Sequence, residues 1–514
     1  MKPSRLSALV LALVLLSGCG APPPEATPTP SPTPEAVEET GEEASTVFTL
    51  PRTTASLHPI LSTDKVNVAL AGLIWEGLFE LDRTFDPQLR LCQSYAVSED
   101  GLTWTFRLRS GVTFSDGSPL TAADVVASLQ LAQSPQSRFA GRLDDVVSIA
   151  EQDGAVVLTL RTPNGALPAL LDIPIVKAGS DAVPPGTGPY RLTEADGSAV
   201  LTARTDWWRN LDLPAETIPL VTIQAADDLI SAFDTEEISL VTADLTGTST
   251  LGFAGDHAVW DYPTTTMVYI GYNCQKGPCA NAAIRRALDR AWDRNTVAVA
   301  LYSRHAQAAA LPLHPDCADY DDILAQRRDY SPQVFAQLLE EAGCTQGEDG
   351  LWYQGRQPLS LTFVVNTDNT FRLSAAEYLA GELTRSGVQV ELQKLSWTEY
   401  QQALTAGSFD LYLGAAALSA DFDPAPLLTA GGALNFGGYW NANTLTLLSA
   451  WQAASGTLRK TAAQALWTDL ENQVPFSTLC FKSQSVLTQW GTVTGLTPTQ
   501  QNPFHGIENW RFGS

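Results

Sequence analysis

The chain has 514 residues, 44% of them hydrophobic, which is enough material for two or more packed lobes. Its formal net charge is −25, and such an acidic surface repels phosphate backbones, so nucleic-acid binding is excluded as a function. The histidines form no HExxH or HxxxH pattern. Neither a zinc protease nor a bound cofactor is therefore predicted.

The first residues have the composition of a targeting segment. Lys2 and Arg5 supply a positive head, and the apolar run 6–16 is about half the length of a bilayer span. The following LSGC sequence, which ends at Cys19, resembles the bacterial lipobox, whose cysteine is lipidated after cleavage. The alternative is an ordinary secretory peptide with a chance cysteine. We predict a signal peptide over 1–18 and a lipid on Cys19, which anchors the protein to the extracytoplasmic face of the bacterial cell membrane.

A change of composition follows the lipobox. Prolines alternate with Ala, Thr and Ser after Gly20, and an acidic patch with five glutamates follows over 35–43. No hydrophobic core can form from these residues, and proline extends the chain. We interpret 19–45 as a tether.

Six cysteines remain beyond the tether, an even number that permits up to three disulfides in an oxidising compartment. Cys274 and Cys279 flank a turn-rich QKGP loop that is short enough to close. This pair is the candidate disulfide, and free buried thiols are the alternative.

In the first half of the body, an alternation of residue types predicts a half-buried strand. Leu102, Trp104, Phe106 and Leu108 are separated by polar residues, which is the period of a strand with one buried face. Farther along, Thr121 with Asp124 forms a capping-box pattern that opens a helix.

The second half alternates strands and helices. Strands are predicted from residues 361, 388 and 409, and helices lie between them, the first stopping at Gly387 and the second running from Ser396 to near Gly407. This order implies parallel strands with right-handed crossovers, which is an α/β lobe.

One long segment carries a strong family resemblance. Residues 98–126 read SEDGLTWTFRLRSGVTFSDGSPLTAADVV. This segment resembles the signature of the peptide/nickel-type extracellular solute-binding proteins of ABC transporters, a family that includes oligopeptide- and dipeptide-binding proteins. Further blocks agree in order: WEGLF at 75–79, GTGPY at 186–190, IRRALDRAWDR at 284–294, and 397–423. The resemblance covers about 47–514.

The resemblance implies a two-lobed α/β fold like that of periplasmic binding proteins, with an extra domain. Domain I would comprise 46–81, 176–270 and 485–514, domain II 82–175, and domain III 271–484. Two strands that cross near residues 270 and 485 would form the hinge. The implied function is that of a monomeric, non-enzymatic importer subunit, which captures short peptides and delivers them to permease subunits.

Asp421 is the main candidate for a ligand-binding residue. It lies just beyond the predicted strand that begins at Phe409, and in α/β lobes that edge faces the ligand crevice. By resemblance, the aspartate at this place receives the α-ammonium of the peptide, and a buried ammonium needs such a carboxylate. The alternatives are that Asp421 caps a local turn, or that Asp423 is the binding residue.

Four further residues are candidates for the wall of the ligand site. Tyr269, Tyr272 and Asn273 match the strand near the hinge in the family, and Trp440 lies in a glycine-rich loop. Core packing is the alternative for each aromatic residue.

Two other functions compete with peptide capture. An extracellular hydrolase would need a nucleophile, a base and an orienting acid, but no GxSxG motif is present. The same fold could also bind a nickel chelate, haem or an oligosaccharide, because family members carry all of these.

Overall fold

The computed structural model describes residues 47–180, 182–195, 197–249 and 251–513. Residues Thr46–Ser514 form one compact unit. The predicted signal peptide, Cys19 and the tether lie outside the described residues. Within the described ranges, no helix combines the length and the apolar character that crossing a bilayer requires.

Strands and helices alternate along the described chain. The strands are β1 (Leu50–Thr53), β2 (Phe79–Leu81), β3 (Pro87–Leu89), β4 (Cys92–Val97), β5 (Thr103–Leu108), β6 (Val146–Gln152), β7 (Ala155–Leu160), β8 (Tyr190–Ala195), β9 (Ser198–Ala203), β10 (Thr217–Ile223), β11 (Leu240–Ala243), β12 (His257–Tyr272), β13 (Ala306–Ala308), β14 (Cys344–Gln346), β15 (Trp352–Gln354), β16 (Gln357–Pro358), β17 (Ser360–Asn366), β18 (Gln389–Leu395), β19 (Leu411–Ala417), β20 (Phe476–Gln489), β21 (Val493–Thr494) and β22 (Arg511–Phe512). The α-helices are α1 (Lys65–Ala69), α2 (Ala71–Ile74), α3 (Ala122–Ala132), α4 (Ala226–Asp234), α5 (Ala282–Asp289), α6 (Arg294–Thr296), α7 (Asp322–Gln326), α8 (Pro332–Glu341), α9 (Thr370–Arg385), α10 (Trp397–Ala406), α11 (Ala425–Leu428), α12 (Ala442–Ala453) and α13 (Gly456–Gln473).

Two four-stranded sheets form within the first half of the chain. One has the order β1-β10-β9-β8, and the other has the order β4-β5-β7-β6. In β5, Trp104 and Phe106 are buried, and Thr105 between them is not. This alternation confirms the predicted strand. Thr121 and Asp124 form the predicted capping box at the start of α3, and Thr121 Oγ1 accepts from the Asp124 N–H.

The larger sheet has the order β11-β20-β12-β19-β17-β18, with β13 paired to β20. Its strand β17 runs parallel to both β18 and β19. Ser396 and Glu399 form the predicted capping box of α10, and Gly407 ends that helix in the left-handed conformation. The α/β lobe predicted from this part of the sequence is confirmed.

The long strands β12 and β20 pair along most of their lengths. Their antiparallel register breaks between Pro263 and Met267, opposite Ser483 and Phe481. Beyond the break, β12 pairs with β19 as well, starting at Thr266. The hinge near residues 270 and 485 and the domain boundaries remain predictions.

A buried charge cluster anchors the segment 284–294. Asp289 Oδ1 accepts from Arg294 Nη2 at 2.7 Å, and Asp289 Oδ2 accepts from Arg328 Nε at 2.8 Å. Burial alone would raise the pKa of Asp289, but the positive charges of Arg328 and Arg294 hold that pKa below its usual value. This block of the family signature is therefore structural.

Every one of the six cysteines among the described residues is a free thiol. The Cys274 thiol donates to the carbonyl oxygen of Tyr272 at 3.6 Å, and Cys279 is fully buried among hydrophobic side chains. Burial raises the pKa of the Cys279 thiol well above its usual value. The candidate 274–279 disulfide is thus absent from this structure, because each sulfur already has a local environment that suits a thiol.

Candidate functional site

A cleft of about 260 Å³ lies between two parts of the chain that are far apart in sequence. One wall comes from residues 141–170, around β6 and β7, and the other comes from residues 417–434, after β19. The side chains that line it are a mixture of aliphatic and acidic groups, with Leu143, Leu160, Leu167, Leu170, Leu418, Pro426 and Leu434 among the apolar ones. Such a cleft, with apolar walls and a few polar groups, is typical of a ligand site.

Asp421 lies on the second wall of this cleft. It follows the carboxyl end of β19, where Thr265 Oγ1 donates to the Leu418 carbonyl at 2.8 Å. The next residue, Phe422, has a φ of 58°, so the chain turns sharply after Asp421. This turn is closed by the hydrogen bond from the Phe422 N–H to the Ser419 carbonyl, at 2.9 Å, and the Asp421 carboxylate also accepts from the Ser419 hydroxyl within it.

The carboxylate of Asp421 has two hydrogen-bond donors. Oδ1 accepts from Ser419 Oγ at 2.5 Å, and Oδ2 accepts from Asn164 Nδ2 at 3.1 Å, across the cleft. An ionised carboxylate offers about four acceptor positions, so about two remain for a ligand. Among the described residues, no basic side chain forms an ion pair with this carboxylate.

Asp423 has the capping role that was the alternative for Asp421. Its Oδ1 accepts from the Ala425 N–H at 2.9 Å, at the start of α11, and its Oδ2 accepts from Gln452 Nε2 at 2.8 Å. Burial, and then the negative charge of Asp421, raise the pKa of Asp423 to about 6. The negative charge of Asp421 thus disfavours the charged form of Asp423.

Arg459 is the basic side chain beside this acidic pair. Its Nε pairs with Asp319 Oδ2 at 3.2 Å, and its guanidinium lies 4.0 Å from the ring centroid of Trp451. Nη2 donates to the main-chain oxygen of Asp421 at 3.4 Å rather than to its carboxylate. Arg459 therefore supports the turn, and its positive charge also acts on the nearby Asp421 carboxylate without forming an ion pair with it.

The first wall also contacts α12 through main-chain atoms. The Gly165 N–H donates to the Gln452 carbonyl at 2.7 Å, next to the Asn164–Asp421 contact. A Cβ atom on Gly165 would lie 2.0 Å from the carbonyl oxygen of Ala454, so only glycine fits here. Asn164 and Gly165, which we call the clasp, join the first wall to the C-terminal end of α12.

The structure does not bring the predicted wall residues to Asp421. Thr266 pairs with Ala417 near the cleft, but Tyr272 pairs with Leu411 at the other end of β19. At about 3.3 Å per residue, this paired segment is about 20 Å long. Tyr272 is fully buried, and its hydroxyl accepts from Trp292 Nε1 at 2.8 Å, so it is a core residue.

The other three candidates have structural surroundings as well. Tyr269 is buried, with its ring 5.7 Å from that of Tyr412. Asn273 donates to the carbonyl of Phe409 at 3.0 Å, just before β19. Trp440 is 63% exposed and lies just before α12. The opposite end of α12 reaches the clasp, and a helix of this length spans about 18 Å, so Trp440 lies at the far end of the helix from the clasp.

The sequence matches one family model over residues 86–437, described as bacterial extracellular solute-binding proteins, family 5. The match spans more than half of the chain and includes both walls of the cleft. The chain belongs to this family. The cleft is therefore the candidate ligand site of a family 5 solute-binding protein.

Individual relatives agree with this assignment. The chain is 29% identical over 347 residues to Protein XP55 of Streptomyces lividans, covering 63% of this chain and 62% of that protein. It is 23% identical over 378 residues to the oligopeptide-binding protein AppA of Bacillus subtilis, covering 69% of each. The match with Protein XP55 thus spans about three fifths of that relative's length.

The fold agrees with solved structures. The unliganded open form of the murein tripeptide-binding protein MppA superimposes with a TM-score of 0.75, at 19% identity, over 91% of this chain and 97% of that one. The predicted fold class, a two-lobed periplasmic-binding-protein-like fold, is confirmed.

Sequence reasoning missed the clasp of this solute-binding protein. Asn164 and Gly165 form an Asn-Gly dipeptide after a proline, which is a turn signal. That signal indicates a tight local conformation, but it does not indicate which distant segment the turn contacts.

Proposed function

We propose that the chain is the lipid-anchored substrate-binding subunit of an ABC importer and that it captures short peptides outside the membrane for delivery to a permease. The observation that carries this proposal is the position of Asp421. Its carboxylate faces a cleft between two walls, it keeps free acceptor positions, and it lacks a basic partner among the described residues. Such a group suits the α-ammonium of a peptide.

The size of the cleft favours a short ligand. Its volume of about 260 Å³ lies near the lower end of the roughly 300–1,000 Å³ that is usual for ligand sites. The apolar lining of the cleft can accommodate the side chains of a peptide without selecting one residue type. AppA of Bacillus subtilis, to which the chain is similar, is named as an oligopeptide-binding protein.

The test is a four-way binding cycle, measured by calorimetry. The wild type and Asp421→Asn are each titrated with a tripeptide of alanine and with its N-acetylated form. Asparagine keeps an oxygen for Asn164 and leaves an amide for Ser419, so the turn is preserved. We expect the variant to lose about 2–5 kcal/mol of binding free energy for the free peptide, because the ammonium is left without its partner. That loss is roughly 30-fold to several-thousand-fold in Kd.

The acetylated peptide provides the control. It should bind weakly to the wild type and lose little more on the variant, since the charge pair is already missing. Equal binding of the free and acetylated peptides by the wild type would contradict the role of Asp421. Intact peptide recovered after incubation would support capture, and hydrolysed peptide would support an enzyme instead.

The lipid anchor is a separate part of the proposal, supported by the LSGC sequence at Cys19. Cys19→Ser should release the protein from bacterial membranes without changing its unfolding temperature, because the tether supplies no core residues. A variant that still partitions with membranes would contradict the anchor.

A further inference from the structure

The charges around the cleft are unbalanced. Four acidic residues line it, Asp144 and Asp145 on the first wall and Asp421 and Asp423 on the second, and Arg142 is the single basic residue among its lining residues. The Arg142 guanidinium forms an ion pair with Asp172, so its charge is already matched.

The other nearby basic groups are also paired. Arg161 lies 3.6 Å from Asp145, and Arg459 pairs with Asp319. Within the described ranges, Asp144, Asp421 and Asp423 have no basic side chain within ion-pair distance. One ligand ammonium would match the charge of Asp421 and leave a second negative charge beside it.

Asp423 is the carboxylate best placed to bind a second positive charge on the ligand. Asp144 is exposed, and solvent weakens a charge interaction there, whereas Asp423 is half-buried beside Asp421. Its two hydrogen bonds, from the Ala425 N–H and Gln452 Nε2, fix its orientation and leave acceptor positions open. A cation near both carboxylates relieves their mutual repulsion.

We propose that this cleft selects peptides that carry a second positive charge, a lysine or arginine side chain in the first residue, and that Asp423 is the residue that recognises it. This inference rests on the proposed function, since Asp421 is taken to hold the peptide's α-ammonium. The flexible stem of lysine or the longer one of arginine lets the charge reach a carboxylate adjacent to the one that holds the amino terminus.

The test uses a series of tripeptides that differ in the first residue only. Lysine is compared with norleucine, which has a similar apolar stem without the charge, and with glutamate and alanine. Titrations are done at physiological ionic strength, where charges farther than about 8 Å are largely screened. We expect the lysine peptide to bind about 10- to 100-fold more tightly than the norleucine peptide, and the glutamate peptide to bind most weakly.

Two variants locate the effect. Asp423→Asn keeps an oxygen for the Ala425 N–H, and Gln452 can turn its amide to meet the new NH₂ group, so the fold should be retained. This variant should lose most of the preference for lysine over norleucine. Asp144→Asn removes the same charge from the exposed wall and should keep most of that preference.

Each outcome decides a different question. Equal binding of the lysine and norleucine peptides by the wild type would overturn this inference and leave peptide capture standing. A larger effect of Asp144→Asn than of Asp423→Asn would overturn the assignment to Asp423. Failure of every peptide to bind, including the alanine one, would contradict the proposed function itself.

The pH dependence gives a second readout. The groups around Asp423 are Asp421, Arg459 and Gln452, and the pKa of Asp423 is about 6 in the absence of ligand. A lysine side chain nearby lowers that pKa, so binding should release a proton near pH 6. The preference for lysine over norleucine should therefore increase from pH 5 to pH 7 in the wild type, and stay constant in Asp423→Asn.

Discussion

The clasp offers a way to test whether ligand capture depends on contact between the two walls. Gly165 lies outside the left-handed region of φ, so alanine at this position adds no backbone strain. Its Cβ would nevertheless lie 2.0 Å from the Ala454 carbonyl oxygen, whereas such atoms normally stay about 3.5 Å apart. The two segments must separate by about 1.5 Å.

That separation affects two hydrogen bonds. The 2.7 Å contact from the Gly165 N–H to the Gln452 carbonyl is lost, and the Asn164–Asp421 contact beside it is weakened. Each such bond contributes about 0.5–1.5 kcal/mol. We therefore expect Gly165→Ala to disfavour the form in which the walls touch by about 1–3 kcal/mol. If ligand binds only this form, affinity falls by roughly 5- to 150-fold.

Calorimetry with a peptide that the wild type binds is the assay, and thermal unfolding of the ligand-free protein reports on the fold. The matched control is Gly252→Ala, because a Cβ there meets no heavy atom within 4 Å and φ is again outside the left-handed region. The control should bind like the wild type. If Gly165→Ala also binds within twofold of the wild type, with the same unfolding temperature, capture does not depend on the clasp.

Two further predictions concern the body of the protein. Asp289→Asn should lower the free energy of unfolding in urea by about 3–5 kcal/mol, because it leaves Arg294 and Arg328 buried without their counter-charge; the exposed Asp329→Asn should change it little. Since the folded pKa of Asp289 is below the unfolded value of about 3.9, the wild type should keep this stabilisation above that pH and lose it as the pH falls through the folded pKa. Labelling of the denatured, unreduced body should find six free thiols, and four would mean that one disulfide is present, whose partners peptide mapping would identify.

Local patterns in the sequence predicted the elements well. The capping boxes at Thr121 and Ser396 and the left-handed Gly407 depend on residues within one helical turn, so the sequence contains all of the information they need. The position of Asp421 beyond a strand could be inferred for a similar reason. The carboxyl end of a parallel strand is a known place for ligands, and the parallel pairing followed from the order of strands and helices.

The surroundings of Asp421 could not be predicted in this way. Tyr272 and Asn273 were predicted as wall residues because, with Tyr269, they match the strand near the hinge in the family. The direction of β12 along β19 instead carries residues after Thr266 away from the cleft. Asn164 lies in the loop after β7, which belongs to a different sheet, and its contact with Asp421 depends on tertiary packing, which local patterns do not encode.

The two ends of the described chain meet in one lobe. The ring of Phe48, just before β1, stacks on that of Phe512 with centroids 4.5 Å apart, and Trp510 packs edge-on against the same phenylalanine at 6.4 Å. A ribosome adds about 5–20 residues per second, so roughly 25–90 s pass between the synthesis of Phe48 and that of Phe512. This lobe cannot complete its core until Phe512 has been made. The core around Phe48 therefore forms late in synthesis, after the strands between these two residues.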